Sequence, residues 1–205
     1  MSAMKQVKDF IIIDNTRLGD SYCKMRLVPA DGSNLPAMLP GQFVEVAVNT
    51  PGVLLRRPIS INDVDSSANI LTLLVRNAGK GTSALMGMRT GETLNLVLPL
   101  GNGFTTEVPV GSRLLLIGGG VGVAPLLYLG KVLKSLGHEP EFLLGARTAA
   151  DLLSLDDFKA VGKVHVCTED GSDGVRGFVT AQPHPFRDLS ALLLLRTGSD
   201  DESSG

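Results

Sequence analysis

The stretch Leu114-Leu115-Leu116-Ile117-Gly118-Gly119-Gly120-Val121-Gly122-Val123-Ala124-Pro125 constrains the fold of this chain more than any other. Consecutive apolar residues make a strand that must be covered on both faces, which is the habit of parallel sheets wrapped by helices. The helical pattern "APLLYLGKVLKSLG" follows, then "EFLLGA", short helical pieces and "VHVCTEDG". That order of strand, helix, strand, helix, strand predicts an α/β unit. In the loop itself, glycines let backbone amides approach a pyrophosphate, a helix N-terminus adds partial positive charge, and Pro125 suits a first helical turn. The competing reading is a tight strand-to-helix turn with no ligand. Proline stands where the third glycine of a dinucleotide fingerprint belongs. The next strand ends Gly145-Ala146-Arg147, without an acid, so a standard dehydrogenase Rossmann domain is the wrong template.

The first half has a different grammar. Short alternating segments, "VKDFIIIDNTRL", "SYCKMRLVPA", "GQFVEVAVN", "PISINDVD", "NILTLLVRN" and "ETLNLVLPL", are separated by turn residues and predict a small antiparallel barrel. In "SYCKMRLV", Cys23, Met25 and Leu27 share one face while Lys24 and Arg26 share the other. One stretch, "GKGTSALMGM", interrupts the strands as a short helix. Thr82 is expected to cap it, with Leu85 and Met86 on its apolar side. The domain boundary is expected near Glu107: a barrel over 1–107, an α/β unit over 108–190 and an atypical tail over 191–205.

Two barrel segments are candidate anion contacts. Arg57-Pro58-Ile59-Ser60 opens a strand and places a guanidinium and, after two intervening residues, a hydroxyl near one ligand. Gly79-Lys80-Gly81-Thr82 supplies a second helix N-terminus. Alone, Arg-Pro before a strand is also an ordinary solvated turn. Together with the glycine loop, these segments point to two nucleotide ligands.

Several function classes are disfavoured by composition. The 205 residues carry a formal charge of -2 with acids and bases interspersed, so no basic stripe suits nucleic acid or anionic lipid. Aromatics are 4% and tryptophan is absent, which leaves no stacking platform for single strands. No apolar run approaches the roughly 18 to 20 residues that span a bilayer, and "MSAMKQVKDF" lacks a signal-peptide layout, so the expected compartment is the cytoplasm. Cys23 and Cys167 are read as core residues, and His138, His165 and His184 as structural, since none has metal-site spacing or a neighbouring nucleophile.

The ordered set "PGQFVEV", "LLRRPISI", "GKGTSAL", "PLGNGF", "LIGGGVGVAPL", "LLGAR" and "CTEDGSDGVRGFVT" resembles the ferredoxin reductase superfamily. Within it, the chain is most similar to the electron-transfer subunits of NAD-dependent dihydroorotate dehydrogenase. The resemblance implies FAD held noncovalently by Arg57, Pro58, Ile59 and Ser60, by Leu74, Val75 and Arg76 on the adjoining strand, and by Gly81 and Thr82 at the diphosphate. Many relatives outside this subfamily have an aromatic residue at the Ile59 position, so stacking here would be aliphatic. It further implies NAD at Gly118, Gly119, Gly120 and Gly122, with Thr168, Glu169 and Asp170 lining the same cleft. Leu74 and Val75 would be core in any strand, and Asp170-Gly171 is also an ordinary turn. Arg56 is read as a solvated neighbour, and Arg147 as either an exposed loop residue or a contact to the adenosine half of NAD.

The implied activity passes electrons from an FMN-containing catalytic partner through a [2Fe-2S] cluster to FAD and then to NAD, in pyrimidine biosynthesis and in a heterotetramer. No side-chain acid or base is nominated, because the flavin supplies the reactivity. Alternatives are a stand-alone NAD(P)H-dependent flavin or ferredoxin reductase, and a truncated flavin- or partner-binding module. Relatives continue into a Cys-Gly-Pro-x-x-Met-Met segment and a cysteine-rich loop supplying four thiolates. Here the chain instead reads "ALLLLRTGSDDESSG". The leucines are expected to fill a doubly buried strand position. Permitted codons for the last ten residues, read one base later, encode Gly-Pro-Glu-Ala-Met-Met-Lys-Ala-Val; the tail is therefore expected to be a frameshift product, against the alternative of a divergent native tail, and the α/β unit to be incomplete.

Overall fold

The computed structural model describes residues 4–109, 111–180 and, as a strand, 191–196. The frameshift reading of the tail falls largely on 197–205, outside the described residues. By its internal contacts the chain divides into two compact units, Met1–Glu107 with Ala124–Val132, and Val108–Val123 with Leu133–Gly205.

In the first unit, β1 (Gln6–Leu18), β2 (Tyr22–Pro29), β3 (Phe43–Val46), β4 (Arg57–Asp65), β5 (Ile70–Arg76) and β6 (Thr93–Leu100) close into a barrel of order β1-β2-β5-β4-β3-β6. Every neighbouring pair is antiparallel. The period-two pattern does what it promises in β2: Cys23, Met25 and Leu27 are fully buried while Arg26 is exposed. Helix α1 (Lys80–Gly87) lies between β5 and β6 in sequence, and its Leu85 and Met86 join the barrel core. Asn15 of β1 donates from Nδ2 to the carbonyls of Leu85 and Met88, at 3.2 and 2.8 Å, and so fastens the end of that helix.

The cap of α1 differs from expectation. The N-cap is Gly79, at a φ of 142° that favours glycine, and no side chain caps the helix. Thr82 sits inside the first turn, where its hydroxyl accepts from the Ala78 N–H at 2.8 Å and donates to the Gly79 carbonyl at 3.1 Å. The helix begins earlier than the hydroxyl suggested because glycine alone makes the break.

Helix α2 (Ala124–Ser135) contributes Ala124–Val132 to the barrel unit. Fully buried Asn62 donates to the Ala124 carbonyl at 2.8 Å, Tyr128 donates to the Met38 carbonyl at 2.9 Å, and Lys131 pairs with Asp63 at 2.5 Å.

The second unit is a parallel sheet. Strands β7 (Leu114–Gly119), β8 (Pro140–Ala146), β9 (Lys163–Thr168), β10 (Val175–Arg176) and β11 (Ala191–Arg196) stand in the order β10-β9-β8-β7-β11, each neighbouring pair parallel. Both faces of β7 are covered, since Leu114, Leu115, Leu116 and Ile117 are all at most 4% exposed. On one face Leu115 and Ile117 pack with Leu143 and Cys167. Phe142 of β8 meets Phe158 of α3 (Leu155–Val161) edge to face, with ring centroids 5.0 Å apart. The leucine run expected to fill a sheet position lies in β11, alongside β7.

Candidate functional site

Neighbouring strands bring the two barrel segments together. β4 and β5 run antiparallel with Ile61 opposite Leu73, so Arg57–Ser60 and Leu74–Arg76 occupy the same end of the pair. Ile59 and Ile61 point into the core, at 8% and 0% exposure, and strand alternation therefore turns Pro58 and Ser60 outward. Leu74 and Val75 are buried, which leaves their backbone as the part open to hydrogen bonding, while Arg76 is half-buried.

Just beyond β5, α1 begins at Lys80, and Arg57 lies against its first turn. A methyl at Gly81 would stand 2.4 Å from Arg57 Nε. The absence of a side chain at Gly81 is thus what lets the guanidinium lie beside the helix start. The first N–H groups of a helix lack intrahelical partners and carry partial positive charge, and no acid stands in this first turn. Arg57 adds a full charge there, and Arg76 ends β5 just before Lys80 opens α1. Guanidinium, hydroxyl and free amide donors are the set a phosphorylated flavin requires, so these residues fit that group.

Arg56, expected to be a solvated neighbour, is instead engaged. Its Nη1 donates to the carbonyls of Glu45 and Asn95, at 3.3 and 3.1 Å, and its Nη2 donates to Asn95 Oδ1 at 2.5 Å. Asn95 Nδ2 in turn donates to Asp9 Oδ1 at 2.6 Å. Sequence reasoning missed this because the partners come from other strands.

In the parallel unit the candidate residues collect at the carboxyl ends of the strands, where open α/β sheets bind ligands. Gly118 and Gly119 end β7, and Gly120, at a φ of 55°, opens a 3₁₀ turn over Gly120–Val123 in which Gly122 is buried. At the end of β8, a Cβ on Gly145 would meet Val179 at 2.4 Å, so Val179, which lies within "CTEDGSDGVRGFVT" but was given no role there, stands over this edge.

The loops after β8 and β9 are tied together. Glu169 and Asp170 donate their N–H groups to the carbonyls of Ala146 and Arg147, at 3.1 and 3.2 Å. Ser172 Oγ donates to the Asp170 carboxylate at 2.6 Å and accepts from the Ala149 N–H at 2.8 Å. Thr168 is fully buried and its hydroxyl is spent on the loop, donating to the Asp173 carbonyl at 2.8 Å and accepting from the Asp173 N–H at 3.0 Å. Glu169 and Asp170 are exposed, and the hydrogen bonds from Ser172 hold the Asp170 carboxyl below its ordinary pKa. Arg147 is mostly exposed and lies 3.7 Å from Asp151, which also accepts from Thr148 at 3.1 Å. An acid therefore stands near the end of β8 after all, carried back by the turn Ala149–Asp151.

No family model matches the chain. Among curated proteins, it is 45% identical over 143 residues to the dihydroorotate dehydrogenase B (NAD(+)) electron transfer subunit of Bacillus caldolyticus, covering 69% of this chain and 56% of that protein. It is 35% identical over 175 residues to the protein of the same name from Streptococcus thermophilus, covering 85% and 67% respectively. The chain belongs to this family of electron transfer subunits.

It spans little more than half the length of the first relatives it matches, 55% of the Shouchella clausii member for example. Among solved structures, it is similar to the NADH-dependent reduced ferredoxin-NADP oxidoreductase, with a TM-score of 0.70 and 29% identity over 83% of this chain and 60% of that one. It has the fold of the flavohem-like FAD/NAD binding domain of nitric oxide dioxygenase from Vibrio cholerae, with a TM-score of 0.73 at 19% identity over 88% and 84% of the two chains.

The cluster implied for this electron-transfer family does not fit the cysteines present. Cys23 and Cys167, the only two in the sequence, are fully buried in different units. Burial pushes the Cys23 thiol up to about 11, against a smaller lowering by Arg17, and burial also raises Cys167. Both thiols are thus harder to ionise, and two buried cysteines fall short of the four thiolates that such a cluster takes. Among the described residues no group of histidine, cysteine and acidic side chains could hold a metal ion, and no helix is long and apolar enough to cross a membrane.

Proposed function

We propose that this chain is a cytoplasmic electron-transfer subunit that holds FAD on its barrel and NAD at the carboxyl edge of its parallel sheet. Its partner is then an FMN-containing dihydroorotate dehydrogenase catalytic subunit of pyrimidine biosynthesis, in a heterotetramer. The observation that supports this most is Arg57 lying against Gly81 at the start of α1. Arg57 and the first N–H groups of α1 neutralise the flavin diphosphate, with Thr82 fixing the turn that presents them. Ser60 offers its hydroxyl to a polar ring edge, and Pro58, Ile59, Leu74, Val75 and Arg76 line the flavin. Gly118, Gly119, Gly120 and Gly122 let the backbone approach the nicotinamide nucleotide, and Thr168 holds the loop that carries Glu169 and Asp170. Bound flavin supplies hydride exchange with the nicotinamide, so no side chain here needs to act as an acid or base.

Purified chain should retain FAD, and the flavin absorbance should bleach on anaerobic addition of NADH. Arg57→Ala should weaken FAD binding by about 10- to 100-fold, the range for charge-assisted hydrogen bonds. A chain that takes up no flavin, or whose flavin NADH leaves oxidised, overturns the reading. The two buried cysteines favour a second reading, a stand-alone NAD(P)H-dependent flavin or ferredoxin reductase. That reading predicts steady NADH oxidation with artificial acceptors, and no gain of dihydroorotate-to-NAD activity on adding a catalytic subunit.

A further inference from the structure

Two consecutive arginines stand at the start of β4, Arg56 just before it and Arg57 as its first residue, and they face different ways. Arg57 is opposite Val46 in the β3–β4 register and reaches Gly81, whereas Arg56 reaches across β3 to Asn95 of β6. The junction between them needs such support. Pro58 follows directly and has no N–H to give to a ladder, so the first residues of β4 are held by fewer backbone bonds than an ordinary strand start. Arg56 adds three hydrogen bonds at this point, two of them to backbone carbonyls of β3 and β6. Its planar guanidinium is suited to this, because its donors diverge in fixed directions. Asn95 is itself fixed from the far side by Asp9, its register partner on β1. The chain Asp9–Asn95–Arg56 therefore links β1 and β6 to the residue before Arg57, with a further bond from Arg56 to the Glu45 carbonyl of β3.

We propose that Arg56 is a positioning residue for flavin binding, with Asn95 and Asp9 as its support. It touches no ligand; it fixes the start of β4 so that Arg57 meets the first turn of α1. The inference rests on the reading that the barrel holds FAD.

The test is a double-mutant cycle in the full chain, with FAD affinity read by quenching of flavin fluorescence and the unfolding midpoint of the flavin-free protein read in urea. Arg56→Ala and Asn95→Ala should each raise the FAD dissociation constant by about tenfold, the order of one hydrogen bond's worth. The double variant should be no worse than Arg56→Ala alone, because the bond that Asn95→Ala removes from Arg56 is already lost in Arg56→Ala. Arg56→Lys should recover only part of the affinity. At saturating FAD the visible spectrum of bound flavin should match the parent's. Equal affinity in parent and Arg56→Ala overturns the proposal, as does strict additivity of the two substitutions, or affinity loss only in variants whose urea midpoint falls to match. If Arg56→Ala does not fold, Arg56→Lys and Asn95→Ala carry the same comparison. A parent chain that binds no FAD sinks the functional reading instead.

Discussion

At Gly81 a hydrogen atom stands where a methyl would press on Arg57 Nε. Gly81→Ala should leave folding stability within about 1 kcal/mol, since alanine favours helix, while FAD affinity falls about tenfold as Arg57 is pushed away from the helix start. Urea unfolding and flavin titration of the same variant separate the two effects. The tetrapeptide Arg57–Ser60 draws attention in the sequence because guanidinium and hydroxyl lie close together in the chain, and the structure sets Arg57 beside Gly81. Arg56 was not legible in the sequence, since its partner Asn95 lies 39 residues on and only barrel closure joins them. Asp151 escaped for a related reason: the acid sits beyond the strand end and returns through a turn that composition does not announce.

Secondary elements were legible where burial enforces a period. The alternation of β2 and the unbroken apolar run of β7 both survive in the fold, because one has a single covered face and the other has two. The start of α1 was misread by the hydroxyl of Thr82, which bonds locally without capping. At the amino-terminal edge of the sheet, Glu141 of β8 gathers His165 of β9 at 3.0 Å, Arg113 at 3.6 Å and Lys163 at 3.7 Å. Partial burial raises the Glu141 carboxyl, but the hydrogen bond from His165 and the charges of Lys163, His165 and Arg113 outweigh it and hold the group below its ordinary value of 4.5. A carboxylate depressed in the folded state stabilises above its unfolded pKa and loses that contribution as pH falls through the folded one. Glu141→Gln should therefore flatten the loss of stability below about pH 4.5, by no more than about 1 kcal/mol for partly exposed pairs. Amide exchange of β8 and β9, compared at pH 4 and pH 7, reads this directly.

Across the whole molecule, the two kinds of unit followed from two kinds of hydrophobic pattern, and the closed barrel and parallel sheet are what those patterns require. Which strand borders β7 was less accessible, because a leucine run suits any doubly covered position and nothing local assigns its neighbour. Since β11 lies against β7, ending the chain at residue 190 should bare an edge of Leu114–Gly119. An open apolar edge invites pairing with another copy, so the shortened chain should elute as oligomers in light scattering, while FAD titration of its barrel stays near the parent value. The same adjacency sets an order of events during synthesis. About 70 residues separate the end of β7 from the start of β11, and at about 5–20 residues per second the ribosome needs several seconds to make them. By the end of that interval the six barrel strands and β8 have been made, whereas β7 still waits with its β11 side unpaired, and a chaperone that shields apolar edges would find its target there.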